Sequence, residues 1–258
     1  YQQSGNGAGT GNGQGGGDDV VDADYEKRCD YLMELFRRHN HETGITLDLA
    51  CGTGSLARLL AKKGVDVYGV DSSAEMLSEA MQRTYEEDLD ILYLRQKMQS
   101  LDLYGTINTC VCTLDSINHL TKIEDVKKAI DKVGLFMDND GLFVFDVNTV
   151  YKHREVLKDN TFVFENEKVF CVWQNSPREN DIVDISLDFF EEENGVYYRS
   201  SESFSERAYS DEQIREMLEG AGFKVEAVYG DLTFDKPKEN EQRAIYVAKM
   251  VNSRNKEV

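Results

Sequence analysis

The stretch Leu47 to Gly54, LDLACGTG, constrains this chain more than any other. Ile45 to Ala50 is a short apolar run of strand length, and Gly52 and Gly54 follow where the backbone must turn sharply. Ser55 to Lys63 then carries Leu56, Leu59 and Leu60 at helical spacing, with Gly64 as a C-terminal stop. The same alternation continues. Val65 to Val70 reads as a strand, and Ser72-x-x-Glu75 as a capping box opening a helix to about Arg83. Ile91 to Leu94 and Ile107 to Cys112 are further strands. Thr121-x-x-Glu124 caps a helix whose face is Ile123, Val126, Ile130 and Val133. Leu142 to Val147, LFVFDV, is a run of the kind buried on both faces. Strands alternating with helices predict an α/β fold, a parallel sheet with helices on both sides.

The ends and one interior stretch break this rhythm. Eight of the 20 glycines fall in residues 1–17, a composition with high backbone entropy and little apolar surface to offset it. Residues 1–17 are therefore read as a flexible tail, and the domain as residues 18–258. A helix with Cys29, Leu32, Met33 and Phe36 on one face runs from Tyr25 to Arg38. After Asn148 the helical period disappears. Residues 161–209 hold short β-rich runs, and Asn194-Gly195 between two of them is a hairpin signal. This predicts an antiparallel β insertion, a lid, at about 150–208. The α/β pattern resumes with Ser210-x-x-Gln213 capping a helix with Ile214, Met217 and Leu218, which stops near Gly222. Lys224 to Tyr229 and Ala244 to Met250 supply the last strands.

Composition narrows the function. Lys and Arg number 29 against 48 Asp and Glu, a net charge of −19, which argues against nucleic-acid or membrane partners held by cationic side chains. No apolar run approaches the ~20 residues of a membrane span. Five cysteines, an odd number without a CxxC pair, fit reduced thiols in a cytoplasmic protein better than a disulfide framework or zinc site. The four histidines form no HExxH-type cluster, so no metal is expected. A small-molecule substrate and a monomer or homodimer are the expected partners.

In an open parallel sheet, ligands bind beyond the carboxyl ends of the strands. Gly52 and Gly54 lie there, and the following helix aims its N-terminal amides at the same place. A tight turn with no ligand is the plainer reading of that feature alone. Asp71 adds to it: it ends the second strand, 17 residues after Gly54, where a carboxylate can accept from both hydroxyls of a ribose. Gly52-x-Gly54-x-x-Ala57 also satisfies the dinucleotide fingerprint of a dehydrogenase. Asp48 opposes that reading, because a carboxylate beside the glycine loop repels a pyrophosphate and suits an ammonium or sulfonium. S-adenosylmethionine is the cofactor these residues favour.

The sequence resembles the class I S-adenosylmethionine-dependent methyltransferases, in their small bacterial branch. The stretches that carry the resemblance are 25–28 (YEKR), 47–54, 69–77 (GVDSSAEML), 96–98 (QKM), 115–120 (DSINHL), 145–149 (FDVNT), 206–209 (ERAY) and 221–223 (AGF). It implies a Rossmann-like sheet of seven mostly parallel strands, the last antiparallel, and direct in-line methyl transfer to a small or medium-sized acceptor. By the resemblance, Ala50, Gly52 and Gly54 pass the methionine part of the cofactor, and Asp71 takes the ribose. Ser72 and Met76 flank the adenine, and Lys97 and Met98 lie at its edge. Leu114 and Asp115 approach the methionine, which Tyr25 covers. Asn118, His119, Asn148, Trp173, Arg207 and Tyr209 are substrate candidates, and His119 is the candidate base. The chain departs from the branch at Lys97, Phe204, Glu206 and His119, where an Asp, a His, a Gln and a Tyr are usual. A methyltransferase-like module that binds without turnover is the competing class, and the dehydrogenase a third.

Overall fold

The computed structural model describes residues 18–165 and 169–252. Residues 1–17, read above as a flexible tail, lie outside the described residues. The chain builds a sheet of seven strands, β1 (Ile45–Leu49), β2 (Asp66–Asp71), β3 (Leu92–Arg95), β4 (Ile107–Cys112), β5 (Met137–Asn148), β10 (Phe223–Gly230) and β11 (Arg243–Met250), in the order β10-β11-β5-β4-β1-β2-β3. All neighbours are parallel except β11, which runs antiparallel to both β5 and β10. The order reverses between β1 and β4, and that crevice is where such a sheet admits a ligand.

Strict alternation on the central strands sorts side chains onto two faces. Phe143 and Phe145 of β5, with Tyr246 and Ala248 of β11, pack beneath α4 (Ile123–Phe136) and α5 (Asp211–Gly220). Leu142 and Val144, with Ile245 and Val247, face α1 (Asp18–Arg38) and α2 (Ser55–Lys62) instead. Helix α3 (Ala74–Glu86) connects β2 to β3. Among the described residues no helix is long and apolar enough to cross a membrane. The five cysteines are buried free thiols.

A second, four-stranded antiparallel sheet follows β5: β6 (Thr161–Glu165), β7 (Val169–Arg178), β8 (Ile182–Glu193) and β9 (Val196–Arg207). Asn194 and Gly195 both have positive φ, 54° and 79°, the left-handed pair that a two-residue hairpin turn requires. A short apolar cluster around Cys171, Val183, Ile185 and Leu187 holds this sheet together. Its β9 end abuts the 3-10 turn Ser116–His119 that follows β4, and a π-helical turn, Lys152–Leu157, packs against β7 and β8.

Three local expectations are corrected. The N-cap of α3 is Ser73, whose hydroxyl accepts from the Met76 N–H at 3.2 Å, and not Ser72; the Asp71 carboxylate accepts the Ser73 N–H and sets the helix start one residue later. Helix α4 begins after Lys122 with no side-chain cap, so Thr121 does not form a capping box; Glu124 and Asp125 in its first turn complement the positive end of the helix dipole. Strand β5 starts at Met137, five residues earlier than the apolar run suggests, through a register shift against β4.

Candidate active site

The ends of β1 and β2 meet through one carboxylate. Ala50, Gly52 and Gly54 have φ of 63°, 54° and 73°, so the loop alternates through a left-handed conformation that only glycine adopts freely. The two glycines do different jobs. A Cβ on Gly54 would lie 2.5 Å from the Tyr93 hydroxyl and 3.1 Å from Ala80 Cβ, so Gly54 is needed for packing. A Cβ on Gly52 would have only Met76 Sδ within 4 Å, at 3.7 Å, and would otherwise point into open space. Gly52 therefore leaves room for a ligand. Asp71 accepts the Gly52 N–H through Oδ2 at 2.9 Å and the Ser73 N–H through Oδ1 at 2.8 Å. Each oxygen keeps a further acceptor site, so the carboxylate is aimed by the backbone and still able to take a pair of hydroxyls.

Asp48 lies beneath this loop, 2% exposed. The Ala57 N–H at the start of α2 is its one backbone donor, and Oδ2 has no hydrogen-bond partner. Burial, then the nearby Asp71, push its carboxyl up to about 7. A buried acid left half-satisfied beside a glycine cradle fits a cofactor that carries positive charge. The sign of its effect on stability follows. The folded state holds this proton above the ordinary pKa of 3.8, so stability falls as pH rises from about 4 to about 7. Asp48→Asn will raise the unfolding free energy of the ligand-free chain by about 1–3 kcal/mol near pH 8, an advantage that shrinks towards pH 5. Urea unfolding at the two pH values checks it, and equal midpoints at pH 8 would refute the orphaned charge.

A second carboxylate organises the end of β4. Leu114 and Asp115 both have positive φ, 58° and 50°, a strained pair for non-glycine residues. Asp146, at the end of β5, accepts the Leu114 N–H at 2.9 Å and the Asp115 N–H at 2.7 Å. It also pairs with Arg28 of α1 at 3.1 Å and Arg243 of β11 at 2.6 Å. Burial alone would raise the Asp146 carboxyl, but the two guanidinium groups and two backbone donors outweigh it and hold it below the usual carboxylate range. Asp115 is fully buried; Arg243 Nη2 donates to its Oδ1 at 2.7 Å and Asn148 Nδ2 to its Oδ2 at 2.8 Å.

Other sequence candidates divide into two groups. Met76 sits beside Gly52, as given above. The Ser72 carbonyl accepts from Arg95. Lys97 precedes the 3-10 turn Met98–Ser100, and Met98 packs at the margin of the core. Tyr25 is half-buried on α1 beside the α1–α2 core. The substrate candidates are more engaged than the sequence suggests. Asn118 Nδ2 donates to the carbonyls of Asn148 and Arg207, and its Oδ1 accepts the Asn148 N–H, so it ties β5 to β9. Trp173 donates to Asn175 at 2.7 Å and packs edge-on against Phe162, inside the second sheet's own cluster. Arg207 donates to the Thr121 carbonyl and lies over the Tyr209 ring, whose hydroxyl donates to the Leu120 carbonyl. His119 remains partly open, its side chain 29% exposed, tilted on Phe204 with Nε2 at 3.9 Å from Glu206 Oε1. Burial lowers its pKa.

Arg28, Asp146, Lys152, His153, Glu206 and Arg243 escaped selection as site residues. The available signal was a charge set within or beside an apolar run, Asp146 in LFVFDV and Arg243 before AIYVAKM. Such a residue is buried with a partner or it is not in the core.

A family profile of the methyltransferase domain matches residues 46–141. The putative methyltransferase YqeM of Bacillus subtilis is 34% identical over 209 residues, which are 80% of this chain and 84% of the relative. A glycine/sarcosine N-methyltransferase of Aphanothece halophytica is 24% identical over 225 residues, 85% of this chain and 80% of that one. The crystal structure of a S-adenosylmethionine-dependent methyltransferase from Clostridium acetobutylicum superposes with a TM-score of 0.85 at 30% identity, covering 91% of this chain and 96% of its own.

Proposed function

The chain belongs to the class I S-adenosylmethionine-dependent methyltransferases, and from that premise we propose that its acceptor is a small molecule methylated on an amino nitrogen. The cofactor supplies a methyl group activated on a sulfonium. In this reading Asp71 holds the ribose hydroxyls, Asp48 and the Gly52 backbone face the charged methionine end, and Ser72, Met76, Lys97 and Met98 border the adenine. The strained turn at Leu114 and Asp115, braced by Asp146, shapes the side of the cleft nearest the transferred methyl. The second sheet acts as the lid, since its β9 end reaches the turn that carries His119. Lowering water content there favours alignment of nucleophile and methyl, which is most of what an in-line displacement needs.

The observation that carries the amine reading is the convergence of Asp115, His119 and Glu206. One side-chain atom from each lies within 4.8 Å of the others, which sets the partly exposed His119 imidazole beside two carboxyl groups, where an amine's proton can be received. The Aphanothece halophytica relative, named for glycine and sarcosine, supports the same acceptor class. The test is a screen of glycine, sarcosine, a nucleotide-linked aminosugar and matched hydroxyl compounds, with S-adenosylhomocysteine release as the readout. Turnover confined to amines is expected. Turnover on a hydroxyl compound instead refutes the amine, and cofactor binding without turnover on any acceptor favours a non-catalytic module.

A further inference from the structure

Glu206 is 2% exposed, and groups from several elements enclose its carboxyl. Asn148 Nδ2 of β5 donates to Oε2 at 3.0 Å. His153 of the π-helical turn brings Nε2 to 3.8 Å from the same oxygen, and His119 brings Nε2 to 3.9 Å from Oε1. Asp115, Lys152 and Arg243 complete the charged surroundings.

His153 decides what this arrangement means. Its Nδ1 lies 2.8 Å from the Asp181 carbonyl. A carbonyl can only accept, so Nδ1 carries the hydrogen. Burial, with Lys152 adding to it, lowers the pKa of this ring to about 4 despite the Asp181 bond, so Nε2 is left as a bare lone pair. That nitrogen is buried without a hydrogen-bond partner and lies 3.8 Å from Glu206 Oε2, just outside direct hydrogen-bond reach. A lone pair and a carboxylate buried this close disfavour each other, so the neutral, protonated form of Glu206 is the resting one.

We propose that Glu206 is a buried proton carrier, protonated at rest beside the His153 lone pair, that once ionised receives, through His119, the proton given up by the acceptor's amino group. The proposal rests on the amine reading above. In the step, an N–H bond of the acceptor's ammonium form breaks and its electron pair stays on nitrogen. The proton passes to His119, and the His119 proton facing Glu206 joins the carboxylate as a new O–H bond. The nitrogen pair is then free to take the methyl. The proton later returns through partly exposed His119 to water. Burial first, then Asp115, raise the Glu206 carboxyl to about 8 against the opposing effects of Lys152, Asn148 and Arg243. An ordinary carboxylate near ~4.3 is too weak a base for an ammonium near ~10, and the raised value narrows that gap.

A divalent cation is a poorer occupant of the same three residues. Both Asp115 oxygens are already engaged by Arg243 and Asn148, and Arg243 and Lys152 place two cationic groups beside the cluster.

Two measurements on the full chain test this. In infrared difference spectra of wild type minus Glu206→Gln without acceptor, a protonated-carboxyl stretch should be present near pH ~6 and gone near pH ~10. It should shift in frequency in His153→Gln. Glu206 already ionised at pH ~6, or a band indifferent to His153, overturns the protonated resting state. With an amine found by the screen, wild-type kcat should rise with pH through about 8, the ionised carboxylate being the active form. Glu206→Gln should lose that limb and fall roughly 10²-fold in kcat, with the affinity for S-adenosylhomocysteine retained. An unaltered pH profile overturns the relay whatever the change in rate. Methylation of hydroxyl compounds alone removes the amine reading and the relay with it, while the infrared result still reports separately on the Glu206 proton.

Discussion

Replacing Arg243 by leucine will destabilise the chain by about 3–5 kcal/mol, the usual consequence of stripping one partner from a buried ion pair. Its guanidinium bridges Asp115 and Asp146 at 2.7 and 2.6 Å, and all three side chains are at most 4% exposed. Leucine fills much of the volume but leaves Asp115 with one side-chain donor, Asn148, and Asp146 with Arg28 and two backbone N–H groups. The turn at Leu114 and Asp115 loses part of its brace. Urea unfolding measures the effect, and a loss below about 1 kcal/mol would mean that water reaches the cluster after all. In the Asp115→Asn background the same substitution should cost less, because one of the two abandoned charges is then absent.

Asp71→Ala should weaken binding of S-adenosylhomocysteine by roughly 1.5–3 kcal/mol, the range for a hydrogen bond to a charged acceptor. That corresponds to a dissociation constant about 10- to 150-fold higher. The alanine also releases the Gly52 and Ser73 N–H groups that the carboxylate now holds, so the glycine loop loses its alignment as well as its ligand contact. Asp71→Asn keeps one acceptor oxygen and should fall between the two. Calorimetric titration provides the numbers. An affinity unchanged by alanine would place the ribose elsewhere.

Features set by short-range geometry were legible along the chain. Strand β4 spans Ile107–Cys112 as the apolar run indicates. The Asn194-Gly195 turn joins β8 to β9 with two left-handed residues, and Ser210 and Gln213 form a full capping box on α5. The resemblance implied the seven-stranded, mostly parallel sheet with its last strand antiparallel and the methyltransferase assignment, and both stand. The cap of α3 shifted from Ser72 to Ser73 because Asp71, a residue chosen for ligand binding, also holds the backbone at that helix start. Of the substrate candidates, Trp173 packs against the second sheet's cluster and the Tyr209 hydroxyl donates to the Leu120 carbonyl, contacts that no local pattern announces.

By itself the sequence determined the alternation of strand and helix, the sharp glycine bend after β1 and the acid at the tip of β2. Each of these depends on neighbours a few residues away, and periodicity and turn chemistry record such neighbours directly. Tertiary structure alone decided which charges are buried together. Arg28 reaches Asp146 across 118 residues, Arg243 reaches Asp146 and Asp115 across 97 and 128, and Glu206 finds Asn148 from 58 residues away. No local pattern marks such a partnership, because the low dielectric that makes it matter exists only once the sheet, the helices and the second sheet have closed around it.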